Sequence, residues 1–131
     1  MIGWQPIEYE QAGAEVRAVY DDIRRTRGSD YLNAVWRVLA NDPALLARSW
    51  RNVKEVMAPG ALDPLTKELV YLAVSITNGC DYCIGTHGAA AQAKGMSPAQ
   101  FGELLAVVGL ANQLNAVVKG AAVPLDERYR G

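Results

Sequence analysis

The sequence predicts an all-α protein, a single-domain bundle of about six helices, and three observations lead to that prediction. Three capping side chains stand directly before a proline suited to a first helical turn, at Asp42-Pro43, Asp63-Pro64 and Ser97-Pro98. Apolar residues recur at helical spacing through most of the chain. No segment alternates apolar and polar residues as a half-buried strand would. A length of 131 residues suits one domain over residues 1–131, with a loose polar tail from about residue 124.

The first three predicted helices each carry one apolar stripe. Such stripes predict helices that turn one face toward a shared core. Within them, Trp36 and Trp50 are interpreted as core or subunit-interface residues. The stripes are Ala12, Val16, Val19, Tyr20 and Ile23; Leu32, Val35, Trp36 and Leu39; and Leu45, Leu46, Ser49, Trp50, Val53, Val56 and Met57.

Three further helices are predicted in the second half of the chain, and several of the predicted helices look apolar on more than one face. Leu65–Ile76 is apolar almost all round, which predicts a helix buried on most sides. Residues 83–94 are rich in good helix formers, and residues 98–119 close the set. Because a chain of this size cannot cover so much apolar surface alone, a homo-oligomer is predicted.

The composition and the net charge indicate which classes of partner and which compartment to expect. A formal net charge of −1 and a pI near 5.8 predict no nucleic acid and no membrane as partner. The start, MIGWQPIEYEQ, has no basic segment followed by an apolar run, so no secretory signal is expected. The uncharged run Leu104–Val118 is shorter than the ~20 residues of a membrane span, which predicts a core helix. The predicted compartment is the cytoplasm, where a close cysteine pair indicates redox chemistry or metal binding.

The segment GCDYCIGTHG holds both cysteines of the chain and its single histidine. Asn78-Gly79 forms the predicted turn before a new helix, which places Cys80 in the first helical turn. Cys80, Cys83 and His87 follow at spacings of three and four, so they lie one turn apart on one helix face. The helix N-terminus, the Cys-x-x-Cys arrangement and the imidazole all favour thiolate over thiol.

Glu68 stands twelve residues before Cys80, beside the apolar run LVYLAVSI. A carboxylate in this position either points to solvent or is buried with a partner, because an unpaired buried charge is costly. His87 is the obvious partner if the side chain points inward. A Glu–His–Cys relay could then take a proton from the thiol and return it to a leaving group.

The pattern of Glu68, Cys80, Cys83 and His87 resembles the signature of alkylhydroperoxidase AhpD-like proteins, within the wider carboxymuconolactone decarboxylase family. The signature occupies residues 68–87, and the resemblance extends over residues 63–119. It implies an all-helical fold, a trimer or hexamer, no cofactor, and thiol-dependent reduction of organic hydroperoxides or hydrogen peroxide.

The resemblance also implies roles for the signature residues. Cys83 would attack the peroxide, and Cys80 would resolve the sulfenic acid into a redox-active Cys80–Cys83 disulfide. His87 and Glu68 would relay protons. An external dithiol reductant, such as a lipoyl-bearing or thioredoxin-like protein, would restore the dithiol. Some peroxidase members carry a second histidine where this chain has Tyr82. Tyr82 and Tyr71 are weaker candidates for the substrate pocket.

Three alternatives stay open at this point. The protein could be a general thiol–disulfide oxidoreductase without peroxide specificity. It could bind zinc through Cys80, Cys83, His87 and Glu68, although the chain has no second Cys or His segment to complete a closed site, so no metal is expected. It could also be a non-enzymatic helical oligomer of the same family.

Overall fold

The computed structural model describes residues 3–131 and confirms the all-α prediction. Within those residues there are six α-helices and no strand. One turn of 3₁₀ helix precedes them at Tyr9–Gln11, and another lies in the polar tail at Glu127–Tyr129. The helices are α1 (Ala14–Arg27), α2 (Ala34–Leu39), α3 (Pro43–Val56), α4 (Pro64–Asn78), α5 (Asp81–Ala93) and α6 (Pro98–Gly120). They form two compact units, Met1–Ala58 and Pro59–Gly131, and the assignment of residues 1–131 to one domain stays a prediction.

The first unit packs α1, α2 and α3 around one apolar core. The predicted stripes supply it, and the indole rings of Trp36 and Trp50 meet edge to face with centroids 5.4 Å apart. Both tryptophans are therefore core residues, as predicted. The buried members are Ala12, Val16, Tyr20, Ile23, Leu32, Trp36, Ala40, Leu46 and Trp50.

A polar contact joins α1 to α3 beside this core. The indole Nε1 of Trp50 donates to Asp22 Oδ2 at 2.7 Å, and Nζ of Lys54 approaches the same oxygen at 2.7 Å. Hydrogen bonds from Lys54 and Trp50 lower the pKa of Asp22 to about 2. The carboxylate therefore stays ionised and satisfies the polar atom of a buried indole.

The second unit is built on a hairpin of α4 and α5. Asp63 caps the start of α4 by accepting the backbone N–H of Thr66 at 3.0 Å. Gly79 ends the helix in the left-handed conformation (φ 68°), which a side chain would disfavour. The backbone N–H of Cys80 then donates to the carbonyl of Ser75 at 3.0 Å, so α5 runs back along α4.

Two burial predictions are wrong for the single chain. The buried residues of α4 are Glu68, Leu72 and Ser75, whereas Val70 and Val74 are more than half exposed. The physical reason is that α4 packs against α5 and α6, and these cover only one side of it. The run Leu104–Val118 was expected in the core, but Val108 alone is buried in α6.

The exposed surface of α6 is apolar along its length. Its apolar side chains at positions 107, 110, 114 and 117 are all at least half exposed and recur at helical spacing. By length and composition alone, α6 could cross a membrane, a test that core helices of soluble proteins also pass. An exposed apolar stripe of this length is uncommon on a monomeric soluble protein.

Candidate thiol–disulfide site

Cys80 and Cys83 are joined by a disulfide at the start of α5. Cys80 is the N-cap residue, and its Sγ accepts the backbone N–H of Cys83 at 3.3 Å. The prediction that Cys80 lies at the start of this helix is confirmed. An N-cap acceptor faces unpaired backbone N–H groups and the positive end of the helix dipole, so negative charge on the Cys80 sulfur is favoured there.

Glu68 points inward and meets His87, the partner expected from the sequence. The residue is only 4% exposed, and its Oε2 lies 2.7 Å from Nδ1 of His87. Glu68 shares the inward face of α4 with Leu72 and Ser75, at spacings of four and three. With the carboxylate ionised, Nδ1–H is the donor, and in the neutral imidazole the lone pair then lies on Nε2, which can accept a proton.

A second hydrogen bond to Glu68 comes from Lys94. Its Nζ donates to Oε1 at 2.9 Å. Burial of Glu68 raises the pKa of the carboxyl, but the hydrogen bonds from His87 and Lys94 and their charges outweigh it, so the pKa is lowered from its ordinary value. The buried carboxylate is therefore held in its ionised form.

Lys94 is a residue that the sequence interpretation did not select. It is the C-cap of α5 and follows His87 by seven residues, which is two helical turns. That spacing is the signal that could have identified Lys94, because it places both side chains on the face of α5 that is turned toward Glu68. The sequence interpretation placed it only among the helix-forming residues of this segment.

The two tyrosines of the signature region occupy different positions. Tyr71, one turn after Glu68 on α4, stacks on the imidazole of His87 with ring centroids 3.6 Å apart and planes at 20°. Tyr82 lies in the first turn of α5 and is 44% exposed. Tyr71 therefore restrains the ring of His87, and Tyr82 belongs to the surface beside the disulfide.

Neither cysteine lines the cavity on the α6 side of α4. That cavity, of about 280 Å³, lies between α4 and α6. Across residues 3–131, His, Cys, Asp and Glu side chains form no group of three or more that could hold a metal ion. The two sulfur atoms considered as zinc ligands are instead bonded to each other. The arrangement places a dithiol/disulfide pair and an imidazole–carboxylate pair on the same hairpin.

Comparison with known proteins decides the family. The model of the carboxymuconolactone decarboxylase family matches residues 43–126. The chain belongs to the carboxymuconolactone decarboxylase family. The chain is similar to a solved structure, the alkylhydroperoxidase AhpD core from Rhodospirillum rubrum. The two are 54% identical with a TM-score of 0.95, over 100% of this chain and 98% of the other. The AhpD-like fold predicted from the signature is thus confirmed.

A curated relative of the family is an alkyl hydroperoxide reductase from Mycobacterium tuberculosis. It is 30% identical over 83 residues, which are 63% of this chain. The match spans 24% of that relative's length, so about three quarters of that protein lies outside the match. One of these two relatives is named an alkyl hydroperoxide reductase and the other an alkylhydroperoxidase.

Proposed function

We propose that the protein is a thiol-dependent peroxidase that reduces organic hydroperoxides, or hydrogen peroxide, through the Cys80/Cys83 pair. One observation carries the proposal. The chain's only two cysteines form a disulfide at a helix N-terminus, and the histidine one turn further along α5 is hydrogen-bonded to a buried, ionised carboxylate. This combination supplies a nucleophile, a resolving thiol and a proton carrier within about two helical turns.

The reaction begins at the reduced pair. The Cys83 thiolate attacks the terminal oxygen of the hydroperoxide, the O–O bond breaks, and an alcohol leaves as its alkoxide takes up a proton. Cys83 is now a sulfenic acid. The Cys80 thiolate attacks the Cys83 sulfur, forms the disulfide and expels hydroxide, which leaves as water after protonation. An external dithiol returns two electrons and two protons and is itself oxidised to a disulfide.

The described contacts support separate roles for the two cysteines. The backbone N–H of Cys83 bonds to the Cys80 sulfur, which favours the Cys80 thiolate that the resolving step requires. His87 follows Cys83 by one turn, and its Nε2 is available to take the thiol proton and deliver it to the alkoxide. Glu68 holds the ring in the tautomer that this transfer needs.

The proposed reaction needs a reductant and takes place in one cellular compartment. The reductant is a dithiol-bearing protein of the lipoyl or thioredoxin-like kind, the compartment is the cytoplasm, and neither cofactor nor nucleic acid takes part. A general thiol–disulfide oxidoreductase is the second candidate, because the same disulfide could exchange with protein thiols without any peroxide. The two candidates differ in which oxidant the dithiol form prefers.

The test is a thiol count on the reduced protein before and after one equivalent of cumene hydroperoxide. We expect prompt loss of both thiols and of two hydrogens from the intact mass, much faster than oxidation of free dithiothreitol. A Cys80→Ser/Cys83→Ser double variant is the control for other oxidations. Thiols that stay reduced toward the hydroperoxide while exchanging with a disulfide substrate would replace the peroxidase proposal with the second candidate.

We also propose that the protein assembles into a homo-oligomer, a trimer or hexamer, through its exposed apolar surface. Leu110 and Leu114 are 58% and 50% exposed on the stripe of α6. Changing both to glutamate should give a monomer, because each charge would be buried without a partner in an interface. Sedimentation velocity at micromolar concentration, without detergent, measures this, with Gln92→Glu, which adds a charge at an exposed position of α5, as the control. A wild-type monomer would contradict the proposal.

A further inference from the structure

Lys94 completes a three-residue network that begins with the imidazole of His87. Each oxygen of the Glu68 carboxylate has its own partner: Oε2 lies 2.7 Å from Nδ1 of His87, and Oε1 accepts from Nζ of Lys94 at 2.9 Å. Both partners come from one face of α5, and the carboxylate comes from α4. A carboxylate bonded at both oxygens cannot rotate without losing two charge-assisted hydrogen bonds.

This fixed orientation has a consequence for the imidazole. As long as Oε2 stays on Nδ1, the ring keeps its proton on that nitrogen and offers Nε2 as the acceptor. If Glu68 became protonated, or turned away, the tautomer and the orientation of the ring would no longer be determined. The positive charge of Lys94 opposes protonation of Glu68, because it lies 2.9 Å from one of its oxygens.

We propose that Lys94 is a positioning residue, which holds the Glu68 carboxylate ionised and aimed at His87 and thereby sets the pH range in which the cysteine pair reacts. The role of the network in peroxide reduction rests on the proposed function. Among the described residues, the charged or titratable groups paired with Glu68 are His87 and Lys94, both from α5. Helix α6, which also packs on α4, carries Glu103 and Lys119, and neither forms an ion pair with Glu68.

A purely structural role would have a different signature. The Lys94 side chain is 38% exposed, and ion pairs with so much solvent contact usually contribute little to the free energy of unfolding. A structural bridge between α4 and α5 would therefore change stability slightly and leave the pH profile of the thiols unchanged. A positioning residue would move that profile.

The experiment compares two variants of Lys94. Lys94→Met keeps roughly the length of the side chain but removes its charge, and Lys94→Arg keeps the charge. The control is Lys54→Met, which removes a lysine–aspartate pair of similar length, 2.7 Å, in the other unit. Alkylation of the reduced protein by iodoacetamide is followed against pH, together with consumption of cumene hydroperoxide. For Lys94→Met we expect the alkylation midpoint to move up by about one pH unit and peroxide consumption at neutral pH to fall about tenfold.

The outcomes separate this inference from the proposed function. Lys94→Arg should restore most of the wild-type profile, and Lys54→Met should keep all of it. An unchanged alkylation midpoint in Lys94→Met, with or without a lower rate, would overturn the positioning role. If wild-type protein consumed no peroxide, the peroxidase proposal would fail, while the alkylation midpoint would still decide the role of Lys94. Circular dichroism melts confirm that each variant is folded.

Discussion

Replacing Cys83 with serine is expected to abolish peroxide consumption, the largest loss that any single substitution in this protein should cause. A serine hydroxyl stays protonated at neutral pH and is a far weaker nucleophile toward peroxide than a thiolate. Serine also preserves size and the helix start, so the fold should survive. The measurement is hydroperoxide consumption with dithiothreitol as reductant, with Thr86→Ser, a conservative change on the same helix that leaves both cysteines in place, as the control.

Cys80→Ser is expected to fail in a different way. Cys83 should still react once, but without a resolving thiol it would remain a sulfenic acid. Trapping with dimedone and intact-mass analysis should show one adduct per chain after one equivalent of peroxide. A dimedone adduct in Cys83→Ser and none in Cys80→Ser would reverse the assignment of the two cysteines. Full turnover in both variants would exclude the dithiol cycle altogether.

Glu68→Gln is expected to lower the rate of peroxide consumption about a hundredfold. Glutamine keeps the shape of the side chain but removes the charge that holds Nδ1–H of His87 in place. His87→Gln removes the proton carrier itself and should cost at least as much. The check is the second-order rate constant for hydroperoxide, measured for both single variants and the double variant.

The rate of the double variant shows whether Glu68 and His87 act together or independently. If Glu68 acts through the ring of His87, the double variant should be little slower than the His87→Gln single variant. Losses that multiply would mean that the carboxylate acts independently of the imidazole. Rates equal to wild type in both single variants would remove the proton relay from the mechanism.

Glu68→Gln should also change how stability depends on pH. The fold lowers the pKa of Glu68, so the ionised carboxylate contributes stability above its ordinary pKa, and this contribution is lost as pH falls through the folded value. Glu68→Gln lacks this contribution. Its unfolding free energy should therefore fall less than that of the wild type between about pH 7 and about pH 3, as measured by urea titration.

The sequence predicted the helices and the local site well, because both depend on contacts close along the chain. Capping residues such as Asp63 and Ser97 define helix starts within one or two residues, and each accepts the predicted backbone N–H. Cys80, Cys83 and His87 lie on one helix, so helical spacing alone predicts their common face. The partnership of Glu68 with His87 needed one further assumption, that the carboxylate points inward.

What the sequence could not predict depends on contacts between helices. The extent to which α5 and α6 cover α4 is decided by packing, so an apolar pattern alone did not distinguish a buried surface from an exposed one at Val70 or Val74. The spacing from His87 places Lys94 on the same face of α5, but a lysine at a helix end is usually solvated, so the spacing alone did not single it out. Its bond to Glu68 becomes visible only when α4 and α5 are placed side by side.

The hydrogen bond from the Cys83 amide to the Cys80 sulfur joins catalysis to the start of a helix. The sulfur atom of Cys80 that takes part in the redox reaction also caps the N-terminus of α5. When the disulfide is reduced, that atom changes from a neutral acceptor to an anionic one, and an anion is the better cap. The NMR chemical shift of the Cys83 amide proton should therefore differ between the disulfide and the dithiol form, so it reports the oxidation state of the cysteine pair without an added probe.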